Sequence, residues 1–228
     1  MNSSFFERMA SNLAPERMDA YRRDGASPTT ALARYMWNVA VSESLYPTLQ
    51  FAEIALRNRL HQCLTLRFGT SEWYNDTRCP LQSWQGEHVA AAREELTKAG
   101  KPVTPSGIVS ELTLGFWTGF FNKSQHRAAL AAHLAQTAFS RAPSNEQVVL
   151  KLEVRWKKIR DLRNRVFHHE RIIHWKDLPS QHIQMLEAIF WLSPELHQVA
   201  VALDRFPQVW KQGIDPWLTT IQQKWPES

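Results

Sequence analysis

Two cysteines in 228 residues, Cys63 and Cys79, leave no basis for a disulfide framework or a cysteine zinc cluster. Glycine is scarce: eight residues against ten tryptophans and eleven phenylalanines, a balance that argues against flexible linkers and low-complexity segments. No run of about 18 apolar residues occurs, so no membrane span is expected. The first 25 residues carry no apolar stretch followed by a cleavage site, so no secretory signal is expected. Strand-like alternation of Val, Ile and Thr is rare. The sequence contains no GxSxG, P-loop, GxGxxG or HExxH pattern. The expectation from these absences is a reduced cytoplasmic protein that needs neither a metal nor a cofactor.

What is present is helical periodicity along nearly the whole chain, with 43% hydrophobic residues to build a core. The pattern predicts helices near 3–23 (with Pro15 as a break), 29–44, 46–68, 85–99, 105–121, 124–139, 145–169, 178–192 and 193–204. A short one follows at the C-terminus. Thr104 before Pro105, Ser144 with Gln147 three residues on, and Ser193 before Pro194 and Glu195 all look like helix starts. Residues 69–84 and 99–106 are polar and turn-rich, and 172–180 is mixed. These segments are too short for domain linkers, so the expectation is one all-α domain over 1–228.

The charge is unevenly spread. The chain carries +5 in total. Between Lys151 and Arg171 stand eight basic residues (Lys151, Arg155, Lys157, Lys158, Arg160, Arg163, Arg165 and Arg171) against Glu153, Asp161 and Glu170. That segment alone accounts for the surplus. A local basic stripe suits a polyanionic partner. The plainer reading is a solvated helix face.

The same segment holds "LRNRVFHHE", 162–170, whose first four letters recur in "LRNRLHQCL", 56–64. Successive helical residues turn by ~100°. In the second copy Leu152, Ile159, Leu162 and Val166 form an apolar stripe, with Trp156 and Arg163 on its flank and Phe167 just beyond. Lys157, Asp161, Asn164 and His168 face the other way. Arg163 and His168 are thereby ~140° apart. They meet only if the helix ends or distorts, if the arginine reaches round, or if a second subunit brings its own pair. In the first copy Leu49, Leu56, Leu60 and Cys63 form the stripe. Glu53, Arg57 and His61 follow one another at i,i+4 on its flank, and Glu53 with Arg57 reads as a structural ion pair.

Metal-free RNA cleavage needs a base for the 2′-OH, an acid for the leaving 5′-oxygen and a cation for the phosphorane. Histidine suits proton transfer near neutrality. Arginine suits charge stabilisation. Arg163, Asn164 and His168 supply a cation, an orienting amide and an imidazole within six residues. His168, His169 and His174 are close in sequence, but their spacing is not that of a zinc site. Nothing has the short paired helices of a helix-turn-helix, which disfavours a DNA-binding repressor. Trp73, Trp117, Trp156 and Trp175 are able to stack bases. Core packing is the expectation for Trp117 and Trp156, whereas Trp73 and Trp84 fall in a loop segment.

"RDLRNRVFHHERII" resembles the RxxxxH motif of HEPN-domain proteins, including the polar residue after the arginine. "YPTLQFAEIALRNRLHQCL", "FGTSEWY" and "IVSELTLGFWTGFF" resemble, in order, blocks of the Abi-like (AbiD/AbiF-type) abortive-infection branch of that superfamily. The resemblance covers about residues 30–200. It implies a HEPN-like multi-helix bundle, here with extra N- and C-terminal helices, and a metal-independent endoribonuclease. It also implies a homodimer with two motifs facing each other, and a phage-defence toxin restrained by an RNA or protein antitoxin. Carried over by position, Arg163 and His168 are the catalytic pair and Asn164 their support. His169 and Glu170 are further supporting residues. Lys157, Lys158, Arg160, Arg165 and Arg171 are the expected RNA contacts. A non-catalytic HEPN module that binds RNA or protein is the alternative.

Overall fold

The structure, a computed structural model, describes residues 3–225. Among them every regular element is helical and no strand is present, as the periodicity predicts. The α-helices are α1 (Ser3–Asn12), α2 (Pro15–Asp19), α3 (Pro28–Phe68), α4 (Ser83–Lys98), α5 (Pro105–Glu111) and α6 (Leu114–Thr118), followed by α7 (Ala129–Ala138), α8 (Val149–Phe167), α9 (Leu178–Leu192), α10 (Pro194–Leu203), α11 (Phe206–Gln212) and α12 (Asp215–Lys224). Among the described residues no helix is long and apolar enough to cross a membrane.

Several boundaries differ from the sequence pattern: two helices, α11 and α12, stand where one short C-terminal helix is expected, and the helix expected at 124–139 starts at Ala129. The helices expected at 29–44 and 46–68 are one helix, α3, with Pro47 inside it. A proline removes one backbone donor and crowds the preceding turn, at roughly 3 kcal/mol. The heptad Ala31, Asn38, Leu45 and Ala52 is buried on both sides of Pro47, and tertiary burial of such a stripe outweighs local propensity. The segment 105–121 breaks at Leu112, whose backbone is extended, so that α6 restarts after Thr113. Helix α8 begins at Val149 rather than 145. Ser144 and Gln147 form a turn instead of a cap, and the Gln147 side chain donates to the Ala142 carbonyl at 2.8 Å.

The chain divides into two compact units, and α3, α8 and α9 each contribute to both. The first comprises Met1–Pro47, Leu162–His182 and Leu203–Ser228. Its core joins the two chain ends. Phe6, Met18 and Tyr21 pack with Ala31, Leu32 and Ala33 of α3 and with Ile221 of α12. Phe5 stacks on Trp225 at 5.2 Å. Trp37 packs on Trp210 and donates its indole N–H to the Val209 carbonyl at 3.1 Å. The N- and C-terminal helices are thus part of this core.

The second unit comprises Thr48–Asp161 and Ile183–Ala202. Its centre is aromatic. Trp73 meets Phe116, Trp117 and Phe120 at centroid distances of 6.0–6.3 Å, and Phe139 lies between Phe121 and Trp156. Gly119 admits this packing, since a Cβ there would fall 2.5 Å from the Trp84 ring. Trp117 and Trp156 are fully buried, as expected of core residues. Trp73 is fully buried too, although it lies in a turn-rich segment. It packs among the aromatic rings just named, and its indole N–H is satisfied by His61 Nδ1 at 2.9 Å. Indole only donates, so His61 Nδ1 must be unprotonated.

Burial lowers the His61 pKa below its ordinary value. A histidine whose folded pKa is depressed contributes stability above its unfolded pKa, near 6.5, and loses it as pH falls through the lower folded value. Urea midpoints should therefore fall as pH drops from above neutrality to about 5. His61→Gln keeps an acceptor for Trp73 and should show a smaller fall over the same range. An identical pH dependence in wild type and variant would refute this role.

Candidate functional site

Helix α8 presents the second LRNR copy on its last turn. Leu152, Trp156, Ile159, Leu162 and Val166 are all buried, which fixes the rotation of the helix. Lys157, Asp161 and His168 are exposed, and Arg163 and Asn164 are half-buried. Arg163 stacks its guanidinium over Phe167 at 4.6 Å. Phe167 in turn packs against Tyr46 at 5.8 Å.

The helix ends immediately after Phe167, and its ending sets the position of His168. His168 N–H still bonds the Asn164 carbonyl at 2.8 Å. His169 then turns left-handed, with φ 56°. His169 N–H bonds the Val166 carbonyl at 3.1 Å, and Glu170 N–H bonds the Arg165 carbonyl at 2.8 Å. This pair of reversed bonds is the Schellman closure, in which the left-handed residue is usually glycine. Histidine is among the few other side chains enriched in that region. An apolar contact often ties the two ends of such a closure. Here an ion pair does so, between Arg165 and Glu170 at 2.8 Å.

The chain beyond the helix is held by Asn38, a buried residue in the apolar heptad of α3. Its Oδ1 accepts from Ile172 N–H at 2.8 Å and Ile173 N–H at 3.3 Å, and its Nδ2 donates to the Glu170 carbonyl at 3.2 Å. Arg17 donates to the His169 carbonyl at 2.7 Å. No sequence motif marks either residue. The available signal for Asn38 was a polar side chain where the heptad calls for an apolar one, since buried amides are kept where they satisfy backbone groups.

A cleft of about 450 Å³ opens beside this turn, lined by Tyr35, Asn38, Val39, Ser42, Tyr46 and His169 among others. His169 also lines a second cavity. Arg163, Asn164 and His168 line neither. Among the described residues no cluster of three or more His, Cys, Asp or Glu is placed to hold a metal ion.

The basic residues of the segment have unequal freedom. In the second unit Lys157 and Lys158 are exposed, whereas Arg160 donates to Thr118 Oγ1 at 2.9 Å. Arg155 bonds Glu187 and the Gln184 carbonyl and stacks over Trp191 at 4.3 Å. Lys151 pairs with Glu146 at 2.9 Å. In the first unit Arg165 pairs with Glu170, and Arg171 donates to the Ala20 carbonyl. Much of the apparent basic stripe therefore holds protein together.

The first LRNR copy lies inside α3, far from a helix end. Glu53, Arg57 and His61 are half-buried there, and Arg57 donates to Asn58 at 3.3 Å. His61 is the acceptor for Trp73.

Compared with models of protein families, with curated proteins and with solved structures, the chain matches none.

Removing the Asn38 amide leaves two backbone donors without their acceptor. Asn38→Ala should destabilise the protein by about 3 kcal/mol, as expected for buried polar groups that lose their partners. Amide exchange at Ile172 and Ile173 should accelerate more than elsewhere. Unchanged exchange there would show that Asn38 does not hold the turn.

Proposed function

We propose that this chain is a metal-independent endoribonuclease of the HEPN type, an Abi-like abortive-infection protein acting as a homodimer in phage defence in a reduced cytoplasm. The observation that carries the reading is the placement of half-buried Arg163 and Asn164 at the end of α8 and of exposed His168 just beyond it. An apolar stripe fixes the helix rotation, and the Schellman closure fixes where the helix stops.

In this mechanism the His168 imidazole takes the proton of the 2′-OH as the 2′-oxygen attacks phosphorus. Arg163 stabilises the charge that builds on the non-bridging oxygens. The P–O5′ bond breaks, and the 5′-oxygen leaves with a proton supplied by a second imidazole, that of the partner's copy of the motif. The products are a 2′,3′-cyclic phosphate and a 5′-OH. A second chain is part of the reading for a geometric reason. One helix turns Arg163 and His168 ~140° apart, so a facing copy completes the acid–base pair. Asn164 orients the phosphate, and His169 and Glu170 support the turn. Exposed Lys157 and Lys158 bind the RNA backbone, together with Arg160, Arg165 and Arg171 where their protein partners release them. The partner that restrains the toxin is an RNA or a protein antitoxin.

A second reading, a HEPN module that binds RNA or protein without turnover, is favoured by one observation. The three candidate residues line neither neighbouring cavity.

Purified protein should cut single-stranded RNA in the presence of EDTA and leave cyclic phosphate ends. Arg163→Ala and His168→Ala should each lower the rate by at least ~100-fold, the usual scale for a lost acid–base or oxyanion partner. Strict metal dependence, or full activity in both variants, would eliminate the nuclease. RNA binding without cleavage by wild type would establish the second reading.

A further inference from the structure

The second cavity in the first unit, of about 420 Å³, lies within the size range of small-ligand sites. Four arginines line it, Arg17, Arg23, Arg165 and Arg171, against two carboxylates, Glu16 and Glu170. They come from chain segments about 150 residues apart: α2 and the turn after it, and the end of α8 with the loop beyond. Two hydrogen bonds brace the walls, Arg17 to the His169 carbonyl and Arg171 to the Ala20 carbonyl. Arg165 is steadied over the Trp175 ring at 5.1 Å, and Arg171 lies over Tyr21 at 5.6 Å.

The cations outnumber the anions by two, and the histidines add no charge of the opposite sign. His174, also in the lining, is held below its ordinary pKa by burial and by the charges of Arg171, Arg165 and Arg23. Burial, followed by the Arg23 charge, lowers Arg171 as well. Burial pushes the Tyr21 phenol up to about 12, so it stays protonated and brings no negative charge. The lining thus carries a net of two positive charges around a concave space, with Arg34 and Asp24 acting on Arg171 with opposite signs from outside it. A phosphate monoester carries about −1.5 to −2 at neutral pH and presents three acceptor oxygens, which arginine forks match in geometry.

We propose that this cavity binds a phosphate monoester dianion, the group carried by a mononucleotide or by the phosphorylated end of an RNA chain. None of Arg163, Asn164 and His168 lines the cavity, although it shares Arg165 and Arg171 with the proposed RNA contacts. It stands whether or not the ribonuclease reading does.

Calorimetric titration of the full chain at low salt tests this. 5′-AMP should bind with a Kd of about 1 mM or tighter, and adenosine should not. The affinity should fall as salt is raised. Arg23→Glu changes an exposed side chain and should weaken binding at least ~10-fold, the scale expected when an arginine–phosphate contact is replaced by repulsion. Arg165→Gln should weaken it in the same direction while circular dichroism stays unchanged. His168→Ala should bind as wild type does, which separates this site from the nuclease. A 5′-phosphorylated trinucleotide that binds where its 5′-hydroxyl form does not, with 5′-AMP silent, would assign the dianion to an RNA end. Measurable and equal binding of 5′-AMP and adenosine, measurable and equal binding of both trinucleotides, or wild-type affinity in Arg23→Glu would overturn the proposal. So would the absence of binding by all of these probes.

Discussion

Everything distinctive about the second LRNR copy depends on how one helix stops. The last turn of α8 is closed by the left-handed backbone of His169 and by the reversed hydrogen bonds from His169 and Glu170. A helix that continued would bury the next backbone groups in another turn and carry the chain away from Asn38. Because it stops, Glu170, Ile172 and Ile173 present their backbone groups to a single amide on α3. The closure uses a side chain that tolerates positive φ rather than glycine, and the Arg165–Glu170 ion pair takes the place of an apolar contact. An exposed ion pair contributes at most about 1 kcal/mol. The catch by Asn38, buried and triply bonded, is the stronger constraint.

That constraint also explains how the chain ends are used. Arg17 reaches the His169 carbonyl, and Arg171 reaches back to Ala20. The N-terminal segment is therefore tied to the same turn whose geometry places His168. The C-terminal helices complete the core against which α1 and α3 pack. Ties across about 150 residues leave no local pattern in the sequence.

What the sequence made legible was periodic. The buried stripe of α8 and that of the first copy follow from 3.6-residue spacing, and each named apolar position is buried. The exposure of His168 and the half-burial of Arg163 follow from the same rotation. What was not legible depends on long-range partners. Pro47 reads as a break until burial on both sides of it is known. Ser144 and Gln147 have capping-box spacing yet form a turn. Trp73 sits in a polar loop and is buried among Phe116, Trp117 and Phe120, with its indole N–H bonded to His61 twelve residues earlier. The density of positive charge between 151 and 171 was visible, but not that Arg155 and Arg160 are engaged by Glu187 and Thr118.

The two LRNR copies show how the same four letters acquire different roles. In α3 the helix runs on past Arg57, so His61 at the i+4 position stays on the flank and meets a neighbour from the next loop. In α8 the histidine stands one residue further on, which turns it ~100° away from that flank. The helix also ends there, so no following turn covers it. An imidazole that accepts from a buried indole must stay neutral, which suits a structural part. The His168 imidazole stands exposed just past the helix end, and Arg163 stacks on the adjacent Phe167 ring. The added residue alone would have produced one more solvated histidine. Together with the left-handed stop at His169, it produces a surface on which a cation, an amide and an imidazole stand within one and a half turns.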